Sequence, residues 1–535
     1  MRMTRLLLLT VAIVASASCL RAADRFAHAR PAAAQGQGLG SVNFPISCTA
    51  PAQATFNDAL ALLHNFQYDQ AEQTFAQVAQ QDPTCAMAYW GEAMSLYHQL
   101  WDWPSADTLK QGLADTIEAQ NLRAKTDRER MYIVSAGVFF QDNPALSRAS
   151  RTQAYSDWMG RIFKKYPNDV NAGAFYALSL ITLQGKPADQ LANRKQAIGI
   201  LDKLFAEAPD NPGVAHYLIH AADTPELAPQ GLAAARRYAQ IAPDSAHALH
   251  MPSHIFTRLG MWQDSISSNL ASMAAAAKAT QAGENQASYQ LHAMDFLDYA
   301  YLQSGQAALA QQLVAETANV PGATAQQIAE HQALFAARNA IELHLWTSAA
   351  ALPIPSTPLE SDDVTYWARA IGAARSGNAT GAQQVVSQFA AALTSATAAK
   401  NSNYSGASGD SISQQESQAW LDYAQGNNDE AVKTLRAAAA QEEAEGVDSL
   451  AMPAREMLGD MLLEMKQPRN ALVAYKAALA ESPNRFDSLY GAAQAAQLSG
   501  NPIEAKTYLR TLVKICGPGA DRPELAQARI ELAKK

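Results

Sequence analysis

Cysteine is scarce in this chain of 535 residues: there are four, and no two form a C-x-x-C pair. That excludes a thioredoxin-like redox motif and a cysteine zinc site. Also missing are G-x-S-x-G, the P-loop and paired dinucleotide glycines, and Ser, His and Asp share no recognisable catalytic spacing. A basic surplus is lacking too, since 41 Lys and Arg face 50 Asp and Glu for a net charge of −9. Composition therefore gives no case for nucleic acid as a partner. No stretch supplies the roughly 20 apolar residues of a membrane-spanning helix. What is present is alanine-rich, 48% hydrophobic and poor in β-branched runs, which suits an all-α chain. At this length one conventional core is excluded, whereas repeats that each bury a face on the next escape the limit.

The N-terminus reads as an export signal: Arg2 and Arg5 precede an apolar run, Leu6 to Val14, followed by small residues, too short to span a bilayer. Cleavage after Ala17 or Ala22 fits. Ser16-Ala17-Ser18-Cys19 resembles a bacterial lipoprotein site, but Ser16 stands where a larger apolar residue is usual. The expectation is a periplasmic or extracellular protein, with a lipid anchor at Cys19 as the alternative. Export permits disulfides, and Cys48 and Cys85 flank the first helical hairpin, close enough to staple it; Cys516 is left as a free buried thiol.

Helical periodicity begins at Ala52. Ala71, Phe75 and Pro83 form an A-x-x-x-F…P pattern, with Ala59 twelve positions before Ala71 where the two helices of a unit cross. Ala471, Tyr475 and Pro483 repeat those intervals after Gly459, and Ala505 follows Ala471 by 34. These residues resemble the tetratricopeptide family, which implies an α-solenoid of tandem helical hairpins in a right-handed superhelix. Cys85 to Gly91, His247 to Gly260 and Pro483-Asn484-Arg485-Phe486 resemble exported bacterial tetratricopeptide proteins without an assigned activity. The expected organisation is a signal peptide over 1–22, a flexible leader over 23–51 and one array over 52–352. A proline-rich hinge over 353–363, a second array over 364–517 and a tail over 518–535 complete it. Asn401 to Ser413 reads as an exposed loop, and Gln441 to Glu445 as a solvated helix end.

Histidine is concentrated in one stretch. His216 and His220 recur 34 positions later as His250 and His254, and His247 lies beside the second pair. Residues four apart share a helix face, so five of the eleven histidines crowd one side of two stacked helices. The family resemblance implies ligand binding on the concave wall. Carried over, its groove positions are His216, His220 and Asp223, then His247, His250, His254, Thr257 and Arg258, then His292, Asp295, Tyr299 and Gln303. In the unit after Pro83 they are Met87, Trp90, Met94, Tyr97 and His98.

Three readings of this wall compete. Foremost is a scaffold that recognises a protein, peptide or small acidic ligand, with a carboxylate going to Arg258. In the next, that of a metal-binding protein or metal-dependent enzyme, His216, His220, His250 and His254, with Asp295 or Asp223, hold a divalent metal such as zinc, since an i,i+4 histidine pair can chelate. Tyr217 and Met251 stand where H-E-x-x-H has glutamate, so a metalloprotease is unsupported and no catalytic residue is assigned. In the third reading the histidines are structural and satisfy one another. Pro252 bears on the choice: inside a helix it removes a donor to the Ala248 carbonyl, while at a helix start it would be unremarkable. Of the remaining features, Trp90, Tyr97, Trp101 and Trp103 read as core ahead of an aromatic wall. Arg338 and Glu342 read as a surface i,i+4 pair on a helical face shared with Trp346.

Overall fold

Burial of one face of every helix against its successor organises the chain. The structure is a computed structural model that describes residues 38–100, 103–354, 363–398, 407–446, 450 and 452–534. The signal and lipid-site readings fall outside those residues, as do Trp101, most of the hinge and the first part of the 401–413 loop. Among the described residues there is no β-strand, and no helix is long and apolar enough to cross a membrane. Helices follow one another as antiparallel hairpins, Ala50–His64 with Tyr68–Gln81 at one end and Phe486–Leu498 with Pro502–Ile515 at the other. This is an all-α solenoid of tetratricopeptide type. Its wedge is visible in the packing: a Cβ on Gly91 would lie 2.2 Å from the Phe75 ring, and one on Gly491 would lie 2.3 Å from Tyr475. The aromatic of each A-x-x-x-F/Y motif fills space left by a glycine on the next helix.

The expected leader departs most from its prediction. From Gly38 onward it is built into the array. Phe44 is fully buried, with its ring 5.3 Å from Phe56, 5.6 Å from Trp90 and 4.9 Å from Tyr132. Its backbone is tied down as well: Ser41 N donates to the Asp210 carbonyl at 2.9 Å, and Asn171 Nδ2 donates to the Asn43 carbonyl at 2.9 Å. A polar, glycine-rich stretch with one large aromatic can follow an inner surface that helices cannot reach, which composition alone does not reveal. Trp90 and Tyr97 are core residues, buried to 1% and 3% exposure. Cys48 and Cys85 are joined by a disulfide with Cα atoms 5.3 Å apart, and Cys516 is half-buried.

The second half folds back on the first. Arg485 is completely buried, with Nη2 2.8 Å from Glu342 and 2.7 Å from Glu456, while its Nη1 donates to the Tyr299 hydroxyl at 2.7 Å. Gln303 Nε2 donates to Glu342 at 2.9 Å and its Oε1 accepts from Phe486 N. Nearby, Trp262 Nε1 reaches the Asn484 carbonyl at 2.8 Å. The surface pair expected between Arg338 and Glu342 is therefore replaced: Glu342 binds Arg485, while Arg338 binds Asp295 at 2.7 Å and Asp298 at 2.9 Å. His344, at φ +55, reverses the chain before Trp346, so Trp346 opens the next helix and leaves the face it was assigned.

Smaller corrections share that cause, since contacts distant in sequence bury what looks polar locally. Within the expected solvated helix end Glu442 is buried and accepts the Ala454 N–H at 2.9 Å, while Glu443, Ala444 and Glu445 are exposed. Residues 407–413 begin the helix Ala407–Ala424. The tail contains the helix Pro523–Ala533, anchored by buried Leu525 and by Arg522, which pairs with Asp487 at 2.8 Å. Across the expected hinge, Ala337, Ile341, Trp367 and Ile371 belong to one core.

Two measurements check this account. Replacing both bridged cysteines with serine (Cys48→Ser, Cys85→Ser) opens a 37-residue separation and costs about 4 kcal/mol in the chain-entropy account. Faster amide exchange in the helices between them is expected, and unchanged exchange would count against the staple. Arg485→Met leaves two buried carboxylates without their cation and costs about 3–5 kcal/mol, read as a lower urea midpoint for the full chain.

Candidate functional site

Two capped helix starts present the histidine wall. Asn211 Oδ1 accepts from Val214 N at 3.2 Å to start Pro212–Ala222, and Ser245 Oγ accepts from Ala248 N at 3.2 Å to start Ala246–His250. Pro252 then begins a second short helix, Pro252–Arg258, while Met251 between them keeps right-handed helical angles. The bland reading of Pro252 as a first-turn residue thus holds for that second segment, yet the helix ahead of it is broken. At the break the Leu249 carbonyl accepts the Ser268 hydroxyl at 2.6 Å.

The 34-residue step produces two triads of imidazoles, each an i,i+4 pair joined by a histidine from the following unit. His216, His220 and His247 form the first; His250, His254 and His292 form the second. In each triad the available nitrogens lie within 4.8 Å of one another. His216 Nε2 is 3.0 Å from both His220 Nε2 and His247 Nε2, and His250 Nε2 is 3.0 Å from His254 Nε2. A tetrahedral ion with metal–nitrogen bonds of about 2.0–2.1 Å sets its ligand nitrogens roughly 3.3 Å apart, close to these separations.

The groups behind the rings decide which nitrogens carry protons. His216 Nδ1 lies 2.7 Å from the His64 carbonyl, which can only accept, so Nδ1 holds the proton and Nε2 presents a lone pair. His250 Nδ1 lies 2.7 Å from Asn269 Oδ1, and Asn269 Nδ2 donates to the Ser265 carbonyl at 2.9 Å, which fixes the amide orientation. His254 Nδ1 lies 2.8 Å from Asp223 Oδ2. His250 and His254 both keep a proton at Nδ1, and their Nε2 lone pairs face each other at 3.0 Å. Only a cation, a proton or a metal ion, relieves that contact.

Burial biases the rings toward the neutral form that ligates metals. Desolvation lowers the pKa of His216 to about 3, and it pushes His220, His247 and His250 well below the ordinary value, helped by the neighbouring imidazoles. His292 is lowered to about 4 although its ring is exposed on the wall. Burial raises the Asp223 carboxyl, but Arg258 and His254 outweigh it and hold Asp223 well below the usual carboxylate range.

The remaining expected site residues are placed elsewhere. Arg258 Nε is bonded to Asp223 Oδ1 at 2.9 Å, so the carboxylate expected from a ligand is supplied from within the chain. Asp295 turns to Arg338, and Tyr299 is buried against Arg485. Sequence reasoning passed over the supporting residues. His64 has its own partners, donating from Nε2 to Asn171 Oδ1 at 3.0 Å and accepting from the Tyr217 hydroxyl at 2.9 Å, and only its carbonyl serves the first triad. The Phe66 ring lies 4.2 Å from the His216 ring, at a residue whose φ is +57. Neither His64 nor Phe66 carries a motif, so only their place at the end of the first helix and in the turn after it could have suggested them. A cavity of about 700 Å³ opens beside the triads, with Tyr68, His98, His247, Tyr289 and His292 on its wall. Another of about 740 Å³, bordered by Arg128, Lys165 and Asp210, has no histidine among its described lining residues.

No family model and no curated protein matches the chain. Among solved structures it is similar to the human IFIT1 dimer with PPP-AAAA, at 14% identity and a TM-score of 0.37, over 80% of this chain and 90% of that one. It is also similar to a monomeric IFIT1 mutant with Gppp-AAAA, at 13% identity and a TM-score of 0.37, over 88% and 98%. Likeness at this level carries nothing about the site.

The depressed histidines make stability depend on pH with a definite sign. A folded pKa below the unfolded value of about 6.5 means that the unfolded chain binds protons first. The contribution is intact above that pH and falls as the pH drops toward 4 and 3. Each buried histidine then subtracts about 1.4 kcal/mol per pH unit. Thermal midpoints of the metal-free chain between pH 8 and pH 4 are expected to fall steeply below about 6.5, and less so in a His216→Phe variant.

Proposed function

We propose that this helical-repeat scaffold binds first-row transition-metal ions through its two histidine triads. The observation that carries this reading is the opposed pair of lone pairs on His250 and His254, each forced by an acceptor behind the ring. Imidazole donors without thiolate or carboxylate suit zinc, copper and nickel over calcium or magnesium. The Asp223–His254 and His64–His216 bonds are the outer contacts that orient ligating imidazoles. Three protein ligands leave a coordination position open, as catalytic zinc sites do and closed structural sites do not.

Recognition of an acidic ligand has less behind it, because Arg258 and Tyr299 are bonded to the chain's own groups. A purely structural cluster would require one further proton between the Nε2 atoms of His250 and His254. The two alternatives give opposite results. Equilibrium dialysis of the full chain against zinc(II) or copper(II) near neutral pH is expected to show stoichiometric metal, with less bound in His216→Ala and in His250→Ala. Asp223→Asn is expected to weaken binding at the second triad by about 10- to 100-fold. Metal-free protein after dialysis, with circular dichroism unchanged, would falsify the reading.

A further inference from the structure

The triads are not separated from each other. Between them, the His220 and His254 rings are 6.0 Å apart and those of His247 and His250 are 6.2 Å apart. Inside the second triad the His254 and His292 rings are also 6.0 Å apart. Six imidazoles thus form one continuous patch, and the cavity of about 700 Å³ touches a member of each triad, His247 and His292.

Charge adds a second constraint. The six donors are imidazoles, which bring no negative charge, and the Asp223 carboxylate beside His254 is paired with Arg258. Arg194 brings a further positive charge, donating to the His220 carbonyl at 2.7 Å. Two divalent ions placed here would repel each other with no protein anion between them. Water is the anion source at hand, because a bound divalent ion lowers the pKa of water toward 7. Among the described residues the cavity wall carries Asp69 and Glu284 and no lysine or arginine, a lining that admits cations.

We infer that the two triads form one dinuclear centre, in which a water-derived hydroxide bridges the two ions and the adjacent cavity is their port of entry. The inference rests on the metal-binding reading above. Formation of the bridge is an acid–base step: a water binds and releases one proton to solvent, leaving hydroxide shared by both metals, with no change of oxidation state. Asp69, Glu284 and His98 lie along the port, and His247 and His292 receive the ions at its inner end.

Copper(II) is the diagnostic probe because a bridge couples its unpaired spins. The full chain, loaded near neutral pH, is analysed for copper content and by electron paramagnetic resonance. Expected are two copper ions per chain, an integrated spin well below two, and a half-field transition. His250→Ala, or His292→Ala if the former does not fold, is expected to hold one copper with a full, isolated spin. Two coppers with full isolated spins, or saturation at one in the unaltered chain, would overturn the dinuclear inference while leaving metal binding intact. No copper at all would remove the reading on which it rests.

Discussion

An imidazole nitrogen buried in a helical wall must have a partner, and that requirement shapes the centre of this molecule. At His216, His250 and His254 the partner behind the ring is a carbonyl, an amide oxygen and a carboxylate. Each can only accept, so each draws the proton to Nδ1 and turns a lone pair inward. Between His250 and His254 two acceptors then face each other, an arrangement that is costly without a cation. Residues with no motif of their own set this geometry. The last residue of the first helix, His64, supplies its carbonyl, and Asn269 reaches across from the helix Trp262–Gln281.

Contacts distant in sequence brace the solenoid. The segment after Gly38 fills the inner face of the first half, and Arg485 ties the second half to Glu342, Glu456 and Tyr299. A fully buried guanidinium between two carboxylates is a weak source of net stability. Its geometric demands are strict, however, and they hold four helices in register. Tyr299 and Asp295 are removed from the ligand wall because their polar groups are already bonded to Arg485 and Arg338.

How much of this was legible in the amino acids follows from the range of each interaction. The hairpins were legible, since Ala71 and Phe75, or Ala471 and Tyr475, report contacts inside one unit and with the next. The histidine wall was legible as well, because i,i+4 spacing and a fixed step place His216, His220, His250 and His254 by helix geometry alone. The partition into triads was not. His247 joins the unit before its own, and His292 joins across an irregular interval, so each third member depends on how consecutive hairpins rotate. The buried Glu342 and Glu442 looked like surface groups because their partners lie far along the chain or beyond a turn.

The order of residues determined the helices, their pairing and the face on which imidazoles collect, because a period of 3.6 residues and a step of 34 are properties of local backbone geometry. Tertiary structure alone decided what those imidazoles do. It chose which nitrogen holds the proton, which ring supplies the third member of each triad, and whether Arg258 faces a ligand or Asp223. These depend on distances of a few ångströms between segments separated by 19 to 152 positions, and no local pattern encodes them.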